Sequence, residues 1–150
     1  LSIIFAAVTR SFLIAFISVV VFSFLVDIKA DNIIIIIIYT FLSSFILGAF
    51  GFIAGLWAEK FDHMASVTNF LIVPLSFLSG TFYSIDRLPL ILQKVSEANP
   101  FFYMIDGFRY GFIGESDGSL TFGLIYLTVL SVIVWVIAYL LYKKGYKIKT

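Results

Sequence analysis

The sequence predicts an all-α, polytopic membrane protein with four transmembrane helices and a helical hairpin between the third and the fourth. Hydrophobic residues make up 61% of the 150 residues and charged residues 13%, and the mean hydropathy is +1.09. Soluble domains are about 45–50% apolar and about 25% charged, so a water-soluble fold of this size could not bury so much apolar surface. The long apolar stretches, separated by short polar connections, indicate that a bilayer is the solvent.

The first predicted span covers residues 1–26 and is interrupted only by Thr9 and Arg10. At about 1.5 Å per residue it is longer than a hydrocarbon core about 30 Å thick. One end is therefore expected to project from the membrane, and Arg10 is expected to mark that end. The chain does not open on Met, and its first residues lack the basic segment and cleavage site of a signal peptide. We therefore expect a piece of a longer protein.

The second predicted span covers residues 33–57 and opens with six isoleucines. Such a run would suggest a strand in water, but in lipid the need to satisfy every backbone group favours a helix. Three glycines in its second half, Gly48, Gly51 and Gly55, are candidate helix-packing positions. Gly51 and Gly55 form a GxxxG pattern that lets two helix backbones approach closely. Glycine is also common in membrane helices in general, so both interpretations stay open.

The third predicted span covers residues 64–83 and has Pro74 in its middle. Proline removes a helical hydrogen bond, so the helix is expected to kink at Pro74, with Gly80 helping to accommodate the bend. Several polar side chains lie in this span, and they need partners across helices or in a wet cavity. These are Asn69, Ser76, Ser79 and Thr81.

The predicted hairpin covers residues 85–113. Its first helix, at residues 85–98, has an apolar face of the kind found on helices that lie in the membrane interface. Its second helix begins with Asn99 as N-cap and Pro100 as the first helical residue, and runs to about residue 112.

The last predicted span covers residues 120–142 and is followed by a tail with four lysines and no acid. A cluster of lysines favours the cytoplasmic side of a membrane. With four spans, the connection at residues 59–63 also lies in the cytoplasm, whereas the hairpin and the connection at residues 27–32 lie outside.

Composition excludes several kinds of chemistry. The sequence has no Cys, and His63 is its single histidine, so disulfides, thiolate nucleophiles, Cys-ligated metals and multi-histidine metal sites are excluded. It also has no GxxxxGK[ST] phosphate-binding loop. We expect no catalytic residue, no bound metal or cofactor and no nucleic-acid partner.

A series of short motifs runs in order from Pro74 to Arg109. It reads PLSFLSGTFY, LP, LQ, NPFFY and DGFR, and it includes Leu88, Pro89, Leu92, Gln93, Asn99, Pro100, Tyr103 and Asp106. This series resembles the C-terminal motif region of ABC-2 type transporter permeases. Further matches are Val8 with Arg10 in the first span, Phe61 with Asp62 in the cytoplasmic turn, and the basic tail. The resemblance covers nearly all of residues 1–150, which we interpret as one transmembrane domain.

The resemblance implies the membrane-spanning subunit of an ATP-driven exporter in the cell (inner) membrane. Such a subunit pairs with a second permease copy, most simply as a homodimer, and with a separate ATP-binding ABC ATPase. The cargo would be amphiphilic, drug-like, lipid or polysaccharide. The chain lacks the family's first two spans and the intracellular loop that is its main contact with the ATPase. The turn at Glu59, Lys60, Phe61, Asp62 and His63 would supply a secondary contact.

Asp106 and Arg109 are three residues apart on the second hairpin helix and can pair on one face. If this helix dips into the membrane, as the re-entrant helices of the family do, pairing is needed because an isolated intramembrane charge is costly. Direct contact with cargo is the alternative role. The aromatic residues on the same helix have two possible roles, anchoring at the interface or lining an exit for cargo. They are Phe101, Phe102, Tyr103, Phe108, Tyr110 and Phe112.

Two other functions are compatible with a polytopic protein. A membrane-embedded enzyme acting on lipid or glycan would use Asp106, Glu115 or Asp117 as its acid, but the nearest partner of Asp106 is Arg109, which favours the ionised form. A secondary transporter or channel would carry ionisable residues near the middle of its spans, and the predicted spans have almost none.

Overall fold

Every regular element of the described residues is helical in the computed structural model. The structure describes residues 2–25, 30–58, 60–81 and 88–144. The elements are α1 (Ser2–Ser23), α2 (Ile33–Trp57), α3 (Phe61–Val67), a π-helical turn (Thr68–Ile72), α4 (Val73–Phe77), α5 (Leu90–Ala98), α6 (Pro100–Ile113) and α7 (Leu120–Lys143). The all-α fold class is confirmed for this part of the chain.

Three of the described helices are long and apolar enough to cross a membrane. They are α1, α2 and α7, with 22, 25 and 24 residues. Large apolar side chains on these helices are exposed, for example Phe16 at 69% and Ile34 at 66%, as expected of surfaces that face lipid rather than water. The third predicted span is a shorter helical segment from Phe61 to Phe77, so the number of four spans stays a prediction.

The helical segment from α3 to α4 is irregular immediately before Pro74. The Val73 N–H donates to the Thr68 carbonyl, five residues back, instead of four residues back. Pro74 has no N–H, and its ring would collide with a carbonyl one turn earlier in a regular α-helix. The wider π-helical turn relieves this collision. The disturbance that the sequence predicts at Pro74 therefore takes the form of a π-helical turn on its N-terminal side.

Gly80 lies beyond this helical segment. The segment ends at Phe77, and Gly80 has a φ of 76° in the turn that follows. A left-handed backbone favours glycine because it has no Cβ. Gly80 thus stands in the turn after the helix, and not in the helical bend that was expected of it. Residues 82 and 83, the predicted end of this span, lie outside the described residues.

The two hairpin helices are close to their predicted positions. α5 begins at Leu90, after Pro89 as N-cap, whereas the sequence favoured a start at residue 85. Residues 82–87 lie outside the described part. α6 runs to Ile113 and ends at Gly114, which has a φ of 76°, a common helix end.

The core is built around α2, which contacts α1, α6 and α7. One cluster of buried side chains joins α2, α6 and α7, and it consists of Tyr39, Ile46, Phe102, Tyr103, Met104 and Leu127. A second cluster, at the other end of the bundle, joins α1, α2 and α7 through Ile4, Ala49 and Val134. α6 is therefore part of the helix bundle and does not lie apart from it.

Glycines on α6 allow it to approach α2 closely. A Cβ at Gly107 would lie 2.0 Å from the Tyr39 ring, and a Cβ at Gly111 would lie 2.3 Å from Ile36. The Tyr39 hydroxyl in turn donates to the Leu120 carbonyl at the start of α7, at 2.9 Å. Small residues at helix crossings are the usual means of close packing in a membrane, where the hydrophobic effect does not drive helices together.

The substitution Gly107→Ala is expected to destabilise the bundle by roughly 1–3 kcal/mol, the usual range for overpacking, because the new methyl group collides with the Tyr39 ring. Gly51→Ala is the matched control, since nothing lies within 4 Å of a Cβ at that position. It should be neutral or slightly stabilising, because alanine favours a helix by about 1 kcal/mol over glycine. Thermal unfolding of the complete permease in detergent measures both. Equal effects of the two substitutions would contradict the packing described here.

Candidate functional site

The carboxylate of Asp106 is the most densely hydrogen-bonded side chain of the described residues. It is 3% exposed. Its Oδ1 accepts from Arg109 Nη2 and from the Asp117 N–H, both at 2.8 Å. Its Oδ2 accepts from the Ser116 hydroxyl and the Gly118 N–H, both at 3.1 Å. A buried carboxylate is tolerated when its charge and its acceptor oxygens are both satisfied, and here they are.

Arg109 completes the pairing and extends it to the next acid. Its Nη2 atom lies 2.8 Å from Asp106 Oδ1 and 2.8 Å from Asp117 Oδ2. Partial burial opposes the charge on the guanidinium, and the two carboxylates offset this cost. The i, i+3 pair predicted from the sequence is present.

The loop between α6 and α7 is folded around this carboxylate. The Ser116 hydroxyl also contacts the Gly118 carbonyl. A Cβ at Gly118 would lie 3.0 Å from the Phe102 ring and 3.3 Å from Asp106 Oδ2, so only glycine fits there without displacement. Ser116 and Gly118 are not among the residues predicted from the sequence. The run of Asp, Gly and Ser residues that follows α6 is typical of tight loops whose side chains and N–H groups bond locally.

The last turn of α6 and the loop after it also contact the residues that precede α2. The Asn32 N–H donates to the Gly111 carbonyl at 2.9 Å. A Cβ at Gly114 would lie 2.7 Å from Asp31 Oδ2. Despite several acids in this region, the described residues contain no group of three or more His, Cys, Asp or Glu side chains placed to hold a metal ion. The contacts of Asp106 and Asn32 join α6, the loop after it and the residues before α2.

Asn99 connects the hairpin to the third helical segment. Its Oδ1 accepts from the Phe101 N–H at 3.0 Å, which makes it the predicted N-cap of α6. Its Nδ2 donates to the Leu75 carbonyl at 2.6 Å. α4 ends at Phe77, so the Leu75 carbonyl lies in its last turn, where helix carbonyls lack an intrahelical partner. One buried side chain thus caps the end of one helix and the start of another.

An apolar cavity of about 220 Å³ lies beside this junction. Leu75 from α4 and Pro100, Phe101 and Met104 from α6 line one side of it. Residues from the middle of α2 and α7 line the other side, among them Ile46, Phe50, Leu130 and Val134. The N-terminus of α6 is therefore level with the middle of α2.

The aromatic residues of α6 divide between the core and the surface. Tyr103 is 6% exposed, and its ring centroid lies 5.1 Å from that of Tyr126 and 5.5 Å from that of Phe122, both on α7. The Tyr126 hydroxyl donates to the Ala98 carbonyl, the last of α5, at 2.9 Å. Phe108 faces outward at 36% exposure. Tyr103 thus packs α6 against α7.

Leu88 and Pro89 organise the start of α5. The Leu88 carbonyl accepts from the Gln93 side chain at 2.9 Å. The Pro89 carbonyl accepts from the Leu92 and Gln93 N–H groups at 2.9 and 3.1 Å. The LP and LQ motifs therefore interact with each other.

The turn between α2 and α3 is partly described. Lys60 precedes α3, Asp62 lies in its first turn, and the His63 ring lies 5.5 Å from the Trp57 ring at the end of α2. An acid in the first helical turn stabilises the helix by interacting with its dipole. Glu59 and the side chain of Phe61 lie outside the described residues.

The three candidate packing glycines of α2 have different surroundings. A Cβ at Gly48 would lie 3.1 Å from the Cβ of Ala7, so Gly48 packs against α1. Gly51 and Gly55 have nothing within 4 Å of such a Cβ. They line an open groove of about 890 Å³ between α1 and α2, which also contains Arg10.

Most of the chain matches a known protein family. The model of the ABC-2 type transporter family matches residues 1–113, which include the ordered motifs from Pro74 to Arg109. The chain belongs to the ABC-2 type transporter family. Its resemblance to that family, recognised from the motifs, is confirmed.

The curated proteins that are similar to this chain are named as transport permeases. The inner membrane transport permease YadH of Escherichia coli strain K12 is 42% identical over 97 residues, and the same protein from Escherichia coli O157:H7 and from Shigella flexneri matches equally well. The aligned region covers 63% of this chain but only 37% of each relative. No solved structure matches the chain.

The conservative substitution Asp106→Asn is expected to destabilise the ABC-2 domain by roughly 1.5–3 kcal/mol, the range for hydrogen bonds to a charged group. The asparagine side chain has the shape of the aspartate side chain, but one acceptor oxygen becomes an NH₂ donor. That donor would face the groups that now donate hydrogen bonds to Asp106. Asp117→Asn is the matched control, because the Asp117 carboxylate pairs only with Arg109, which is partly exposed. It should cost less than about 1 kcal/mol. Unfolding of the complete permease in detergent measures both. A smaller loss of stability for Asp106→Asn than for Asp117→Asn would contradict the hydrogen bonding described for Asp106.

Proposed function

We propose that this chain is part of the membrane-spanning permease subunit of an ATP-driven ABC exporter. The observation that carries the proposal is the family match over residues 1–113 together with the ordered motifs within it. The printed name of the YadH relatives, an inner membrane transport permease, supports transport at the inner membrane. In this proposal a separate ABC ATPase hydrolyses ATP, in keeping with the lack of a phosphate-binding loop in residues 1–150.

The hairpin of α5 and α6 is proposed to enter the membrane from the outer side. The C-terminal end of α6 contacts Asn32, just before α2, and its N-terminal end is level with Ile46. These two points are roughly 20 Å apart along α2, at about 1.5 Å per residue. If α2 crosses the bilayer, the tip of the hairpin at Asn99 lies near its middle. Irregular backbone at that depth needs internal partners, and the side chain of Asn99 supplies them.

The segment from α3 to α4, with the turn after it, is proposed as the fourth membrane crossing. Its π-helical turn and Pro74 make it the least regular helix of the described residues, and irregular helices bend more readily than regular ones. The Asn99–Leu75 hydrogen bond links it to the hairpin. Movement of this segment, driven by the ATPase at its cytoplasmic end, would thereby reach the outer half of the pathway.

The proposed assembly contains two permease copies, most simply a homodimer, and two ATPase subunits, with the C-terminus of this chain in the cytoplasm. The proposed cargo is an amphiphilic or drug-like molecule, a lipid or a polysaccharide. The turn at residues 59–63 would touch the ATPase. The alternative of an enzyme that uses Asp106 as its acid is disfavoured, because four donors already occupy that carboxylate.

Co-purification of the complete permease with an ABC ATPase from the same cells tests the proposal. A stable complex whose ATP hydrolysis depends on the permease is expected. Asp62→Lys should weaken the complex by up to about fivefold, as expected for one charge at the rim of an interface. The control Glu115→Lys reverses a charge at the opposite end of the bundle and should have no effect. A functional permease that assembles without any ATPase would contradict the proposal.

A further inference from the structure

The helical segment from α3 to α4 is attached to the rest of the bundle at its two ends. At its start, α3 contacts α2, and the His63 ring lies 5.5 Å from the ring of Trp57, the last residue of α2. At its other end, α4 contacts α6, and the Leu75 carbonyl accepts from Asn99 Nδ2 at 2.6 Å. The π-helical turn lies between these two attachments.

The π-helical turn stands away from the neighbouring helices. None of its Cα atoms lies within 8 Å of a Cα atom in α2, α6 or α7, and none of its residues is buried. Its hydrogen bonding departs from that of an α-helix, and Pro74, two residues after it, has no N–H to donate. π-helical turns within α-helices are frequent at functional sites. The middle of the segment is therefore its least supported part.

The cavity of about 220 Å³ lies between this turn and the rest of the bundle. Leu71 and Ile72 of the turn line it together with Leu75 and with side chains of α2, α6 and α7. All of its lining residues are apolar, so no side chain around it can hold an ordered water molecule. Protein interiors contain few voids of this size, because atoms that line a void lose dispersion contacts. A movement that closes the cavity would restore those contacts.

We propose that the segment from α3 to α4 has a second, closed position, in which its π-helical turn moves into this cavity and packs against α2. The two ends keep their contacts with Trp57 and Asn99. The segment bends at the π-helical turn and at Pro74, where the regular hydrogen bonding is already interrupted. Packed helices change between discrete arrangements and do not deform continuously. Both positions are formed within this chain, so the closure does not depend on the cargo or on an ATPase.

Disulfide formation across the cavity distinguishes the two positions. Leu47 of α2 and Leu71 of the π-helical turn both line the cavity, and their Cα atoms are more than 8 Å apart. A disulfide requires Cα atoms about 4.4–6.8 Å apart. Cysteines at these two positions can therefore be joined only when the turn has moved towards α2.

The test uses a cysteine-free version of the complete permease, oxidised in membrane vesicles with copper phenanthroline. The pair Leu47→Cys and Leu71→Cys should form a disulfide within one chain, identified by mass spectrometry of the linked peptides from the monomer band. In the control pair, Leu47→Cys with Phe70→Cys, little disulfide should form, because Phe70 lies in the same turn but is 82% exposed and does not line the cavity. Equal yields from the two pairs, or a disulfide only between two copies, would overturn the proposal, since something other than the turn would then occupy the cavity.

Larger side chains in the cavity provide a second measurement on the Leu47–Leu71 cysteine pair. Ile72→Trp should lower the rate of disulfide formation about tenfold, because it overpacks the closed position. Val73→Trp is the matched control and should leave the rate unchanged, because Val73 is 39% exposed and does not line the cavity. Leu130→Phe enlarges a lining side chain of α7 and tests the same closure if Ile72→Trp does not fold. A rate that neither Ile72→Trp nor Leu130→Phe lowers below that of Val73→Trp would overturn the proposal.

Discussion

The buried carboxylate of Asp106 is the interaction on which the arrangement of the hairpin depends. A charge can be withdrawn from water only if other groups replace its hydration. Here the replacements are one guanidinium, one hydroxyl and two backbone N–H groups, and three of these four donors belong to the loop between α6 and α7. The cost of leaving the carboxylate unsatisfied therefore holds the loop in one conformation, and the loop in turn fixes where α7 begins relative to α6.

The same end of the bundle is joined to α2 by contacts that tolerate little displacement. The Tyr39 ring lies against Gly107, and its hydroxyl reaches the first carbonyl of α7. The Asn32 N–H bonds the Gly111 carbonyl. α2, α6 and the start of α7 thus form one block. The segment from α3 to α4 is joined to this block mainly through Asn99, and it contains the π-helical turn. The block is regular, whereas the segment from α3 to α4 is irregular and bends more readily.

The sequence predicted the helices and the pairings that depend only on residues close together in the chain. Apolar length predicted α1, α2 and α7, and the Asn-Pro pair predicted the start of α6 at the correct residue, because an N-cap and a proline at the first position act within one turn. The i, i+3 spacing predicted the pairing of Asp106 with Arg109. It did not predict Ser116 and Gly118 as partners of Asp106, because contacts ten and twelve residues away depend on how the loop folds back.

Other residues lie in surroundings that differ from those predicted from the sequence, because contacts between helices set their positions. Gly51 and Gly55 match a packing motif, yet within the described chain Gly48 makes the close contact with α1, since the side of α2 that faces a neighbour is set by the whole bundle. Gly80 lies in a turn because α4 ends at Phe77. The position of Arg10 relative to α2 likewise depends on a contact between helices, because Ala7, about one turn before Arg10, lies against Gly48.

Asp106 holds the α6–α7 loop in one conformation by accepting hydrogen bonds from the Asp117 and Gly118 N–H groups. Hydrogen–deuterium exchange of the complete permease in lipid nanodiscs measures this directly, because the Asp117 and Gly118 N–H groups are the donors in question. Both amides should exchange as slowly as those in the middle of α6, although they lie in a loop. Exchange of these two amides as fast as that of the exposed Glu115 in the same loop would contradict the account.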